Sequence, residues 1–279
     1  MESLKRAVIR IAYSQTQDLQ NLSRIHRFCL IPSLSFASSL YKLTLLLRQL
    51  LYCFGVFQKH RLPVPVISVG NLTWGGNGKT PMVEYIALLL SNAGISPLIL
   101  TRGYAGGDEA KMLQRHLLKT SAKIGVGANR SAVAAQFFER YGHINPSSKH
   151  FERHHHPSQK PSSFNAEKIG AVILDDGMQH WSLSRDVEIV MVNGMVPWGN
   201  NQLLPRGPLR ESLAALRRAD VVVIHHADLV SDCQLKLIKA TIREDVKIIK
   251  ERLTALLNEF QLKPIMVVTE KGMAPGVAF

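Results

Sequence analysis

From Val64 onward the chain alternates short, β-branched apolar runs with segments of helical periodicity, and this alternation limits the fold more than any other feature. "VPVISVG", "SPLILT", "GAVILD", "VEIVMV" and "ADVVVIHH" read as near-continuous apolar strands. Strands that are apolar on both faces need cover on both, which calls for a parallel sheet between two helical layers. "KTPMVEYIALLLSNAG" supplies one covering helix, with Met82, Val83, Ile86, Leu89 and Leu90 on one face and Gly94 as a natural stop. "NRSAVAAQFFERYG" supplies another. The expected class is α/β.

The first strand runs into "SVGNLTWGGNGKTP". A strand ending at Gly70, a glycine-rich turn and a helix starting near Lys79 is the setting of a phosphate-binding loop. Backbone N–H groups of Gly75, Gly76, Asn77, Gly78 and Lys79 would cradle phosphate oxygens at the helix N-terminus. Lys79 would neutralise β/γ-phosphate charge and the Thr80 hydroxyl would coordinate Mg²⁺. Pro81 falls in the first helical turn, where a missing N–H costs little. The first glycine of G-x-x-x-x-G-K-[ST] is replaced by Thr73, which leaves a plain glycine turn as the bland alternative.

A nucleotide site also needs an acid at the end of a neighbouring strand, to hold Mg²⁺ and its waters opposite the loop. "AVILDDGMQH" provides two, Asp175 and Asp176. Further polar residues fall at strand ends, where α/β sheets place ligands: Arg102, Tyr104, Asp108, Glu109, Arg130, His180, Arg210 and Glu211. Singly, each is more often a surface or capping residue. A carboxylate near the γ-phosphate has the further option of accepting a proton from an acceptor hydroxyl. His225 and His226, which also end a strand, read as structural. The Asn-Lys-x-Asp motif that reads guanine is absent.

The net charge of +13 favours an anionic partner, and it is unevenly placed. Nine Lys or Arg residues precede the glycine-rich loop, against Glu2 and Asp18. They accompany an apolar stretch, Leu30 to Phe57, interrupted by Lys42 and Arg48. Those two cations favour an amphipathic helix lying in a membrane interface over a spanning or core helix. The acid-poor opening residues also have the flavour of an organellar transit peptide. No basic platform interleaved with aromatics is present, which argues against nucleic acid as the partner. Cys29, Cys53 and Cys233 lack metal-ligand spacing and read as reduced thiols. The Ser-, Pro- and His-rich stretch from Asn145 to Glu167 reads as a surface loop or disordered insertion, with His154, His155 and His156 solvated rather than metal-bound.

"SVGNLTWGGNGKTP", "TRGY", "GDE", "ILDDGMQHWSLSRDVEIVMVNG" and "WGNNQLLPRGPLRES" occur here in one order, and the chain from about Arg61 to His226 resembles the tetraacyldisaccharide 4'-kinases. The resemblance implies a P-loop NTPase-like three-layer sandwich with a mainly parallel sheet, preceded by a membrane-associating helix. It implies MgATP-dependent phosphorylation of the 4'-hydroxyl of a lipid disaccharide 1-phosphate, a step of lipid A biosynthesis. Lys79 and Thr80 would hold nucleotide phosphate and Mg²⁺, Asp175 and Asp176 the metal side, and Asp108 would be the catalytic base with Glu109 beside it. Tyr104, Arg130, His180, Arg210 and Glu211 match positions near nucleotide or disaccharide phosphate. The implied location is the membrane: the mitochondrial inner membrane for a plant member, the cytoplasmic face of the inner membrane for a bacterial one.

The expected organisation is a basic apolar segment over 1–60, a nucleotide-binding core over 61–228 and a shortened helix–strand remnant over 229–279. Members of the family continue after the strand ending at His226 into a second α/β lobe with an Asp-His-His motif. Here one helical stretch precedes "KPIMVVTE". A member that binds nucleotide with little turnover is therefore the alternative reading.

Overall fold

The computed structural model describes residues 2–13, 26–103, 108–144 and 168–245. Tyr104, the 145–167 stretch and the "KPIMVVTE" segment lie outside them. Two helices come first, α1 (Glu2–Tyr13) and α2 (Ile31–Cys53). The core follows as β1 (Val66–Gly70), α3 (Lys79–Asn92), β2 (Ser96–Thr101), α4 (Asp108–His116), β3 (Lys123–Val126), α5 (Arg130–Tyr141), β4 (Ile169–Asp175), β5 (Val187–Asn193), β6 (Val221–His225) and α6 (Asp232–Asp245).

The strands form one sheet in the order β3-β2-β4-β1-β5-β6, and each pairing is parallel. Side-chain alternation sorts the apolar residues onto two faces. Ile67, Val69, Ile99, Ala171 and Ile173 pack against Val83, Ile86 and Leu90 of α3 and Leu113 of α4. Val66, Leu98, Leu100, Val172 and Leu174 pack on the opposite face with Ala134, Val133 and Phe137 of α5. At the other end of the sheet, Val190 and Val192 meet Ile238 and Ile242 of α6. This is a three-layer α/β/α sandwich, with α6 part of its packing.

α2 is long and apolar enough, by length and composition, to cross a membrane. Its placement divides it lengthwise. Phe36, Leu40, Leu43, Leu47 and Leu50, spaced by three and four, face outward and are exposed. The opposite side meets the core through polar groups. Ser38 Oγ donates to the Leu203 carbonyl at 2.8 Å, and Tyr41 Oη donates to the Arg210 carbonyl at 2.8 Å. Arg48 lies over the Trp181 ring, 4.8 Å from its centroid, and 3.6 Å from Glu211.

α1 docks separately. Ile11 and Ala12 are buried, and Asn200 donates to both of their carbonyls, its backbone N–H to Ala12 at 2.9 Å and its side chain to Ile11 at 3.0 Å.

Candidate functional site

β1 lies at the centre of the sheet between β4 and β5, so the turns leaving the C-terminal ends of β1 and β4 face each other. A crevice at that end of an α/β sheet is where ligands bind. The two turns are locked together. Gly177 N–H donates to the Val69 carbonyl at 3.1 Å, and any Cβ on Gly177 would collide with Ser68 Oγ. Behind them, Ser68 donates to buried Glu188 at 2.7 Å, and Arg185 pairs with the same carboxylate. Arg185 also donates to the Gly177 and His180 carbonyls at 3.1 and 3.0 Å, so a buried ion pair holds the shape of the 176–180 turn.

The glycine-rich loop has its own brace. Thr73, buried, forms an antiparallel bridge with Leu209, and its hydroxyl accepts from Asn77 Nδ2 at 2.9 Å. Asn77 thus turns its side chain into the loop and leaves only its backbone to a ligand. Gly78, at φ 74°, occupies the left-handed region that a side chain would strain, and it starts α3.

Lys79 follows at once. Its Nζ donates to Asn71 Oδ1 at 3.3 Å and lies 3.8 Å from Asp176 Oδ1. Asp176 is gripped from the other side by Arg210, which reaches both carboxylate oxygens at 2.7 Å and donates to the Asn71 carbonyl at 2.9 Å. Arg130 is buried, starts α5 after the Asn129 cap, and donates to the Asp176 carbonyl at 3.2 Å.

The two aspartates are thereby made unequal. Burial alone would raise Asp176, but the Arg210 and Lys79 charges outweigh it, and its carboxyl lies below the ordinary value. Asp175 is raised, first by burial and then by repulsion from Glu109 and Asp176. Burial lowers the Lys79 ammonium, and Asp176 only partly offsets this. His180 is lowered to about 4 by burial and by the Arg130, Arg185 and Arg102 charges. It is a neutral imidazole at physiological pH, 3.0 Å from Ser182 Oγ.

The structure therefore gathers Lys79, Asp175, Asp176, Arg130 and Arg210 around the glycine loop, with His180 on the adjoining turn. Glu109, in the first turn of α4, is near enough for its charge to act on Asp175 and Lys79. Asp108 is largely exposed, 3.7 Å from Lys111. Glu211 is buried outside the cluster, bound by Arg218 at 2.7 Å and facing Arg48.

Asn71 joins the site without having been singled out in the sequence. Its signal is a polar residue at the exit of a fully buried, mostly apolar strand. Glu188 and Arg185 were also missed, though a glutamate inside "VEIVMV" is the mark of a buried charge with a partner.

Comparison with known proteins bears on this geometry. A sequence model described as tetraacyldisaccharide-1-P 4'-kinase matches residues 30–272. A probable tetraacyldisaccharide 4'-kinase, mitochondrial, of Arabidopsis thaliana is 57% identical over 245 residues, covering 87% of this chain and 60% of the relative. A tetraacyldisaccharide 4'-kinase of Halothermothrix orenii is 38% identical, covering 75% of this chain and 53% of the relative. A crystal structure of LpxK from Aquifex aeolicus in complex with ATP superposes with a TM-score of 0.56 at 30% identity, covering 72% of this chain and 60% of that one. The chain thus spans little more than half the length of the relatives it matches. It belongs to the tetraacyldisaccharide-1-P 4'-kinase family.

Proposed function

We propose that the chain carries the nucleotide half of a MgATP-dependent lipid kinase acting on the 4'-hydroxyl of a tetraacyldisaccharide 1-phosphate. The observation that carries this is the convergence of Lys79, Arg130, Arg210 and two aspartates on one glycine loop, in a chain of this family.

The donors fit Mg²⁺, which takes hard oxygen ligands. Asp175 is the metal-side carboxylate of this reading, because Asp176 is already held by Arg210 and Lys79 whereas the two largest charge effects on Asp175 are repulsive. Thr80 supplies a hydroxyl. A bound Mg²⁺ would neutralise charge building on the β- and γ-phosphates.

The protein's own groups do the rest. Loop N–H groups and Lys79 orient the triphosphate, Arg210 keeps Asp176 ionised and in place, and a carboxylate of the Asp108–Glu109 pair takes the proton of the attacking sugar hydroxyl. Asp108 is assigned that role by its place in the Gly-Asp-Glu motif.

The exposed apolar side of α2 rests in the headgroup region and keeps the site beside a substrate that stays in the bilayer. The membrane concerned is mitochondrial, as the name of the Arabidopsis relative suggests.

The test is transfer of labelled γ-phosphate from ATP to a tetraacylated glucosamine disaccharide 1-phosphate in mixed micelles. Asp108→Ala should lower transfer at least about 100-fold with ATP affinity unchanged. Bound ATP with no transfer by the unaltered chain would refute the kinase reading and leave a nucleotide binder.

A further inference from the structure

α1 has no part in the site described so far, and it precedes the residues that the family model matches, 30–272. Its side toward solvent carries Lys5, Arg6 and Arg10, all exposed. Its last turn is nonetheless seated as firmly as a core element, with Ile11 and Ala12 almost wholly buried. The seat is shaped for it. Gly199, at φ 57°, has no room for a side chain, because a Cβ there would stand 2.7 Å from the Ala12 carbonyl oxygen and 2.5 Å from Pro208. Asn200, next in the chain, binds the Ile11 and Ala12 carbonyls, two of the acceptors that a helix leaves open at its C-terminal end.

The segment that seats α1 also braces the glycine loop. The Pro208 carbonyl accepts from Trp74 N–H at 2.9 Å, and Leu209 bridges to Thr73. Helix and loop are thus fixed to one support, and Tyr13 reaches from the first to the second. Its hydroxyl lies 3.8 Å from where a Cβ on Gly75 would stand. Among the described residues, no other group beyond the chain neighbours of Gly75 comes within 4 Å of that point, and the matching space at Gly76 is open.

Oxygens of a polyphosphate cradled by the loop N–H groups would lie along this edge. A phenol supplies one O–H donor there. The Tyr13 hydroxyl has no hydrogen-bond partner among the described residues, and the side chain is partly exposed, so donating to a phosphate oxygen costs it only water. The helix end beside it does not repel an anion. Asn200 covers its last carbonyls, and Arg10 in the same turn adds positive charge.

We propose that Tyr13 is a phosphate-contact residue of the nucleotide site, its hydroxyl donating to an oxygen of the triphosphate along Gly75, and that α1 is docked to hold it there. Opening residues that read in the sequence like a transit peptide thereby acquire a role in the site. The proposal rests on the nucleotide reading above.

Calorimetry on the full chain compares ATP with inorganic tripolyphosphate for the unaltered protein, Tyr13→Phe, Ala12→Glu and the double variant. Tyr13→Phe removes only a hydroxyl from a partly exposed side chain and leaves the fold intact. It should weaken both ligands about tenfold, the loss of one hydrogen bond to a charged group. Ala12→Glu puts a charge into the seat of α1 and lifts the helix away. It should cost the same factor, and the double variant no more than either change alone. Affinities within about twofold of the parent in Tyr13→Phe would overturn the proposal. So would tighter binding, which would make α1 a cover over the loop, and so would a loss confined to ATP, which would put Tyr13 at the base or ribose. Losses that multiply in the double variant would overturn the role given to α1. Failure of the unaltered chain to bind either ligand would overturn the nucleotide reading itself, whereas binding that Tyr13→Phe leaves untouched would sink this proposal alone.

Discussion

Thr73 stands where a phosphate loop usually has its first glycine, and its surroundings explain why a β-branched residue suits the place. It is buried in an extended bridge to Leu209, and its hydroxyl takes the Asn77 amide that would otherwise point into the loop unbound. Thr73→Gly, which restores the usual motif, is therefore expected to lower stability by about 1–2 kcal/mol, from the lost hydrogen bond and the added chain entropy. Urea denaturation checks this, and an unchanged midpoint would mean the Thr73–Asn77 bond does not brace the loop.

His180 makes a second prediction at the same scale. Its folded value of about 4 lies below the ordinary 6.5, so between those values the unfolded chain binds a proton that the folded chain refuses. Stability then falls as pH drops from about 6.5 toward 4. His180→Asn should flatten that slope in urea midpoints measured across the range, while an identical slope would place His180 in a more solvated setting. The lysine, the loop glycines and the paired aspartates were legible in the sequence because the chemistry of phosphate demands them at fixed spacing. Asn71 and Arg185 were not, because what they do depends on partners more than a hundred residues away or behind the turn they hold.

Among the elements, α2 does more than offer an apolar side. Tyr41 and Ser38 hold the segment from Leu203 to Arg210 by hydrogen bonds, Ser38 Oγ also accepting from Arg206 N–H at 3.1 Å, and that segment delivers Arg210 to Asp176. A helix with an exposed apolar side thus touches the backbone of a residue in the site. Tyr41→Phe leaves the Arg210 carbonyl without that donor, and turnover should fall about 3- to 10-fold while ATP affinity and binding to anionic vesicles stay within about twofold. Loss of vesicle binding alongside turnover would instead make Tyr41 part of the membrane contact. The apolar character of α2 could be read from its sequence, but not its inner side, since Ser38, Tyr41 and Arg48 gain meaning only from the 203–211 segment. The strands were legible because both faces are buried. β3, four residues beginning with Lys123, and α4, nine mostly polar residues, were not identified, because each is held by its neighbours rather than by its own pattern.

At the scale of the whole molecule, the parallel sheet brings two turns more than a hundred residues apart in the chain to one place, with cations that folding has taken out of water. Lys79 is lowered by its burial and Asp175 raised by its own, so the folded chain carries charge that a bound polyphosphate and its metal would balance. A ligand that binds only the folded state stabilises it by about 2.7 kcal/mol at a hundred times its dissociation constant. For a chain of this size that corresponds to a rise of about 5–10 °C in melting temperature. MgATP should produce that rise in the unaltered chain and none in Lys79→Ala. The variant itself should still fold, because Asp176 keeps both hydrogen bonds from Arg210 and is not left as an unpaired buried carboxylate. A variant that melts at nearly the same temperature as the parent, yet no longer responds to MgATP, would place the loss at the phosphate loop rather than in the fold. An equal rise in both proteins would mean that the nucleotide binds elsewhere.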